Sequence, residues 1–170
     1  MSAHALLSAS ASERWINCPP SARLEEQFPD STSTYAEEGS LAHAIAELKL
    51  QKQYEHISKS TFTRRMNKLM ANDLYKPEMQ GYTDIYVDHI NQIAMSYQTA
   101  PLVSIETQLD LSEWLPEGFG TADGIIIGGN TLNVVDLKYG INPNNKVSAE
   151  NNTQKHQYAL GAYGPNYLFY

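Results

Sequence analysis

The clearest pattern of apolar and polar positions in the first hundred residues is that of an α-helix. From Met79 to about Gln98 apolar side chains return every three or four positions, which predicts one long helix with an apolar face. The members of that face are Tyr82, Ile85, Tyr86, His89, Ile90, Ile93 and Tyr97. The basic stretch before this helix has only weak periodicity and is expected to be irregular or partly helical.

Three further helices are predicted nearer the N-terminus. Ser10-x-x-Glu13 has the form of a capping box, so a short helix is expected to run through Trp15 and to stop before two prolines. A second short helix is expected from Ala22 to Gln27. Thr34-x-x-Glu37 is another capping box, and it predicts a helix that ends near Gln53.

The second part of the chain has patterns that are typical of a small sheet. Residues 102–109 are predicted as a strand, and two β-branched runs between Gly120 and Gly140 flank a Gly-Gly-Asn turn signal, which predicts a tight hairpin. A polar loop is expected over 141–148, a helix from Glu150 to Ala162, and the start of another strand from Tyr167 to Tyr170. Helices followed by a small sheet with one covering helix predict a mixed α/β or α+β fold.

The turn signal also predicts the register of the hairpin. If residues 129–130 form the turn, Ile125 pairs with Val134, and Asp123 falls opposite Asp136. Directly opposed residues have Cβ atoms about 4.5–5.5 Å apart. The hairpin is therefore expected to bring two carboxylates together at its open end.

Composition indicates one ordinary domain. The 170 residues are 42% hydrophobic and 18% charged, and a single domain is expected, with 1–100 mainly helical and 101–170 forming the sheet and its helix. No apolar run is long enough for a membrane span, and the N-terminus lacks the features of a secretory signal, so a cytoplasmic location is expected. The single cysteine, Cys18, excludes an internal disulfide framework and an iron–sulfur cluster.

Charge is distributed unevenly along the chain. The net charge of −7 argues against a protein that coats nucleic acid uniformly, yet seven of the twelve basic residues lie between Lys49 and Lys76. This asymmetry is a weak indication of an anionic partner. A solvated surface segment accounts for it equally well.

The paired carboxylates suggest a metal site. Two such groups repel each other unless a cation lies between them, and their oxygens suit Mg²⁺ or Mn²⁺. Alternation along the second strand places Lys138 on the same face as Asp136. A metal held by Asp123 and Asp136 can activate water and polarise a phosphodiester, while the lysine orients that water. The alternative is that Asp123 caps the strand entrance and that Asp136 and Lys138 form a surface ion pair.

The order of these residues resembles the PD-(D/E)XK nuclease superfamily. Asp123 and the sequence Asp136-Leu137-Lys138 match its pattern, although Ala122 stands where the superfamily often has proline. Three further motifs resemble its RecB-like and lambda-exonuclease-like branch. They are the sequence from Glu38 to His43, the pair Gln154-x-x-x-Tyr158, and the opening stretch from Ser8 to Pro19. The chain is most similar to a phage- and prophage-associated group of RecB-like proteins of uncharacterised function.

This resemblance implies a restriction-endonuclease-like core, with a small mixed sheet, a central hairpin and flanking helices. It implies Mg²⁺ or Mn²⁺ bound by His43, Asp123 and Asp136. It also implies that Gln154 and Tyr158 contact substrate or brace the lysine. The residues that it assigns to catalysis are Asp123, Asp136, Lys138, Gln154 and Tyr158.

The implied activity is metal-dependent hydrolysis of phosphodiesters in DNA, by an exonuclease of phage recombination or replication inside a bacterial host. DNA is the expected partner, with phage recombination or replication proteins as further ones. Arg64, Arg65 and Lys68 from the basic segment are candidates for a surface that guides the strand.

Several alternatives stay open. Members of the branch usually continue past the Gln-x-x-x-Tyr helix, so part of the family fold is expected to be missing, and a catalytically inactive module that binds DNA or a phage protein is the second hypothesis. A metal enzyme acting on a small phosphate ester is the third. Glu106 is either an additional acidic group of the site or an ordinary strand-edge carboxylate, and Tyr158 is either a site residue or core packing.

Overall fold

The computed structural model describes residues 6–28, 33–116, 118–140 and 147–163. This part of the chain has an α+β fold with six α-helices and one three-stranded antiparallel sheet. The elements are α1 (Ser12–Asn17), α2 (Pro20–Glu25), α3 (Thr34–Tyr54), α4 (Lys59–Met70), α5 (Glu78–Met95), β1 (Leu102–Asp110), β2 (Phe119–Gly128), β3 (Thr131–Val135) and α6 (Thr153–Tyr163). None of the described helices is long and apolar enough to cross a bilayer.

The long helices agree with the sequence pattern, but the predicted caps do not. The side chain of Ser33, one residue before the predicted Thr34, accepts the cap hydrogen bond from the amide of Ala36 at 3.2 Å. Ser10 caps no helix, because it lies in a 3-10 turn and α1 begins at Ser12. The basic stretch is helical over α4. The side chain of Ser58 caps this helix by accepting a hydrogen bond from the amide of Thr61, a cap that was not predicted from the sequence.

The sheet has the order β1-β2-β3, and its hairpin has the predicted register. Ile125 pairs with Val134, and Gly129 takes the left-handed conformation that the tight turn requires, with φ of 56°. All described pairs are antiparallel, whereas the resemblance implies a mixed sheet. The strand predicted over 167–170 and most of the predicted 141–148 loop lie outside the described residues.

Helices cover both faces of the sheet. On one face, α6 packs through Tyr158 and Ala162 against apolar residues of β1 and β2. On the other face, α3 and α5 pack against Ile126 and Leu137. A third apolar cluster joins α3, α4 and the start of α5. The N-terminal segment also contacts α6, since the hydroxyl of Ser12 lies 2.7 Å from that of Thr153.

Both β1 and β2 change face in the middle. Ile105 packs on the α3/α5 side, whereas Leu109 packs on the α6 side, although strict alternation would give them the same face. In β2, Ala122 packs on the α6 side, while a side chain at Gly124 would face α5. Glu106, which lies between the two halves of β1, has a left-handed backbone with φ of 46°. The strands therefore rotate where Glu106 and Asp123 oppose each other.

Candidate functional site

Three side chains from different elements meet at this rotation. His43 of α3, Glu106 of β1 and Asp123 of β2 each offer a ligand atom, and these atoms lie within 4.8 Å of one another. The Nδ1 atom of His43 is 3.4 Å from a carboxylate oxygen of Asp123. All three side chains are partly buried. We refer to this group as the acidic cluster.

The backbone of Glu106 is unusual for its position. A left-handed conformation is uncommon for a residue other than glycine and costs free energy. Burial, followed by the charge of Asp123, raises the pKa of Glu106 to about 7, although His43 acts in the opposite direction. Without a bound cation, this site therefore disfavours a second negative charge beside Asp123.

The carboxylate of Asp123 raises the pKa of His43. Burial lowers the pKa of His43, but the hydrogen bond and the charge of Asp123 outweigh it, so the pKa lies above its usual value of 6.5. Asp123 also has a structural contact, because its Oδ2 accepts a hydrogen bond from the amide of Leu137 at 2.7 Å. That amide lies beyond the end of β3. The carboxylate therefore accepts the hydrogen bond that a backbone carbonyl of a paired strand would otherwise accept.

A second group of polar residues lies where β3 ends. The Nζ of Lys138 is 2.8 Å from Oδ2 of Asp136 and donates to Oε1 of Gln154 at 3.0 Å. The amide of Gln154 in turn donates to the other oxygen of Asp136 at 3.3 Å and to the hydroxyl of Tyr158 at 3.1 Å. The side chain of Asp136 is only 3% exposed, and that of Lys138 is 46% exposed. Because the carboxylate of Asp136 is buried, the pair differs from the surface ion pair that the sequence left open as an alternative.

The two groups are neighbours with separate contacts. Asp136 is not among the side chains whose ligand atoms lie within 4.8 Å of one another. Its charge nevertheless raises the pKa of His43 and of Glu106. Of the three metal ligands implied by the resemblance, His43 and Asp123 lie together, with Glu106 as the third member. Asp136 is held beside them by Lys138 and Gln154.

One of the candidate basic residues of α4, Arg65, is tied to α3. Arg65 donates to the side chain of Gln51 at 2.6 Å, and α4 packs on α3. In the described ranges, no hydrogen bond or ion pair links Arg64, Arg65 or Lys68 to the acidic cluster. Their role as a strand-guiding surface stays a prediction.

Open space reaches the two groups from two sides. A groove of about 950 Å³ runs between α5 and the outer edge of β3, and Asp136, Lys138 and Tyr86 line it. A smaller hollow of about 470 Å³ lies beside α3 and is lined by Gly39, His43 and Glu106, among others. Such volumes are large enough for small-molecule or nucleotide groups.

Sequence reasoning left Glu106 undecided and missed Tyr86, whose hydroxyl is buried near the same carboxylates. Burial, followed by the charges of Asp123, Glu106 and Asp136, strongly raises the pKa of Tyr86. In the sequence, Tyr86 is only one member of an apolar helix face. No local signal marks it as a site residue.

Comparison with known proteins assigns the chain to a family. The chain belongs to the family described as "Protein of unknown function (DUF2800)", whose model matches residues 4–170. No match to the chain is found among solved structures.

Proposed function

We propose that this member of the DUF2800 family hydrolyses phosphodiester bonds in DNA with the help of a divalent metal ion. One observation carries the proposal: the acidic cluster and the bound pair of Asp136 and Lys138 lie side by side where the hairpin opens. The resemblance to PD-(D/E)XK nucleases supports it through the same residues.

The donor atoms of the acidic cluster suit the proposed metal. Carboxylate oxygens are the ligands of Mg²⁺ and Mn²⁺, and an imidazole nitrogen is better tolerated by Mn²⁺. Two ligand atoms on one such ion lie at most about 4.2 Å apart, twice a bond of about 2.1 Å. The ligand atoms of the acidic cluster lie within 4.8 Å of one another, so a small movement of the side chains would bring them to coordinating distance.

In this proposal the residues of the chain have distinct tasks. His43, Glu106 and Asp123 would hold the ion, which would activate a water and neutralise charge on the phosphate. Lys138 is aimed by its contacts with Asp136 and Gln154 and remains half exposed beside the groove. Its ammonium group is placed to stabilise negative charge that develops on the phosphate.

The second candidate function is a catalytically inactive module that binds DNA or a phage protein. It is favoured by one observation: Asp123, Asp136 and Lys138 already have partners within the protein. These contacts exist without a metal or a substrate, although Oδ2 of Asp136 has no hydrogen-bond partner among the described residues. This hypothesis predicts DNA binding that does not depend on metal and is not followed by cleavage.

The test is incubation of the purified protein with end-labelled linear, single-stranded and circular DNA, in Mn²⁺, Mg²⁺ or EDTA. We expect cleavage in Mn²⁺ and none in EDTA. Asp136→Asn and Lys138→Met should each reduce the rate by about 100-fold or more, which is the usual effect of losing one group that stabilises the transition state. Asp110→Asn is the matched control, because the carboxylate of Asp110 contacts only the amide and the hydroxyl of the nearby Ser112 among the described contacts.

Three outcomes would contradict the proposal. Cleavage at the wild-type rate in both Asp136→Asn and Lys138→Met would remove these residues from the mechanism. DNA binding without cleavage under every metal condition would favour the inactive module. Competition by free nucleotides that exceeds competition by DNA would point to a small phosphate ester as substrate.

A further inference from the structure

The hydroxyl of Tyr86 is a buried polar atom without a hydrogen-bond partner among the described residues. The residue belongs to α5 and is 8% exposed. Its ring packs in the apolar cluster that contains Ile90 and Ile126. Phenylalanine would fill that space equally well, so packing does not account for the hydroxyl. Leaving such a group buried and unpaired costs free energy.

The position of this hydroxyl is defined by Gly124. A Cβ added at Gly124 would lie 3.1 Å from the Tyr86 oxygen. Gly124 pairs with Ile105 on one side and with Val135 on the other. Each of these three strand residues is adjacent in sequence to a carboxylate of the site, namely Asp123, Glu106 and Asp136. The hydroxyl therefore lies over the sheet beside Gly124. Gly124 and its two strand partners each precede or follow one of the three acids in sequence.

Tyr86 also borders the space beside the site. It lines the same groove as Asp136 and Lys138. Gly124 has no side chain at the point of closest approach, so the oxygen of Tyr86 can pack directly against the backbone of β2. These observations place an unpaired hydroxyl at the boundary between the core, the groove and the acids.

We propose that Tyr86 is a positioning residue of the metal centre, and that its oxygen accepts a hydrogen bond from a water molecule bound to the metal ion. The inference rests on the proposed function, because it requires a cation at the acidic cluster. Mg²⁺ and Mn²⁺ keep several of their waters in proteins. The ion polarises these waters into strong donors, and the phenol oxygen is an acceptor that no described protein group uses.

The experiment measures Mn²⁺ binding to the metal-free protein by titration calorimetry, with thermal unfolding as a second readout. In Tyr86→Phe we expect the Kd for Mn²⁺ to rise about 3- to 10-fold, as for the loss of one hydrogen bond. The midpoint of unfolding without metal should be equal to or above that of the wild type, because no protein hydrogen bond is lost. Gly124→Ala should also raise the Kd, since its methyl group would crowd the same oxygen.

Tyr54→Phe is the matched control. The hydroxyl of Tyr54 donates to the side chain of Asn91 at 2.7 Å. The ring of Tyr54 packs against the same apolar cluster as Tyr86. This variant should unfold at a lower temperature without metal and should keep the wild-type Kd for Mn²⁺. A wild-type Kd in both Tyr86→Phe and Gly124→Ala would overturn the role of Tyr86 and leave the metal site standing. A wild-type protein that binds no Mn²⁺ would overturn the metal site together with this inference.

Discussion

Replacing Glu106 by glutamine should stabilise the metal-free protein at pH 8 and weaken its binding of Mn²⁺. The carboxyl of Glu106 has its pKa raised from 4.5 to about 7, by burial first and by the charge of Asp123 second. A carboxyl whose pKa is higher in the folded state favours folding in its protonated form. Its ionisation therefore removes stability as the pH rises from about 4.5 through 7.

The size of this effect follows from the pKa. A change from 4.5 to about 7 corresponds to about 3 kcal/mol for a fully buried group. Because Glu106 is only partly buried, screening by solvent reduces this value, and we expect about 1 to 2 kcal/mol. Glu106→Gln carries no charge at any pH. We compare the free energy of unfolding of Glu106→Gln with that of the wild type at each pH. The difference in favour of the variant should be larger at pH 8 than at pH 5 by about 1 to 2 kcal/mol.

The assay is urea unfolding in EDTA, followed by circular dichroism at both pH values. Glu113→Gln, at an exposed position outside the cluster, is the matched control and should show no such difference. His43 also loses stabilising charge as the pH rises through its raised pKa. Glu106 contributes to that raised pKa less than Asp123 does, so most of this change is common to the wild type and Glu106→Gln. Equal stability changes for Glu106→Gln at pH 5 and pH 8 would refute the reasoning. Unchanged Mn²⁺ affinity would remove Glu106 from the metal ligands.

Two further predictions concern Asp123 and the basic residues of α4. Asp123→Asn keeps an acceptor for the amide of Leu137, so the variant should stay within about 1 kcal/mol of the wild type in urea unfolding, while Asp123→Ala should lose about 1 to 3 kcal/mol. Both should weaken Mn²⁺ binding, and equal stability of the two variants would show that the hydrogen bond to Leu137 contributes little. If α4 guides DNA, replacing Arg64, Arg65 and Lys68 by alanine should weaken binding in fluorescence anisotropy and lower the slope of log K against log salt by about 3. An unchanged slope would exclude the three side chains from the interface.

The sequence alone determined the features that depend on local spacing. A capping-box motif predicted α3, the helical period predicted α5, and the turn at 129–130 predicted the register of β2 with β3. The two-residue spacing of Asp136 and Lys138 predicted that they share a face, and the four-residue spacing of Gln154 and Tyr158 predicted the same for that pair; in the structure the members of each pair are in contact. These relations hold because backbone geometry relates residues that are close in sequence.

The tertiary structure decided which distant residues join them. Glu106 enters the cluster because β1 pairs with β2 and rotates at a left-handed residue, and no sequence period encodes such a rotation. Tyr86 approaches the acids because α5 packs over Gly124, which lacks a side chain. On the helix, this tyrosine has the same spacing as its apolar neighbours, so only the packing of α5 on the sheet separates a buried core ring from a hydroxyl beside three carboxylates.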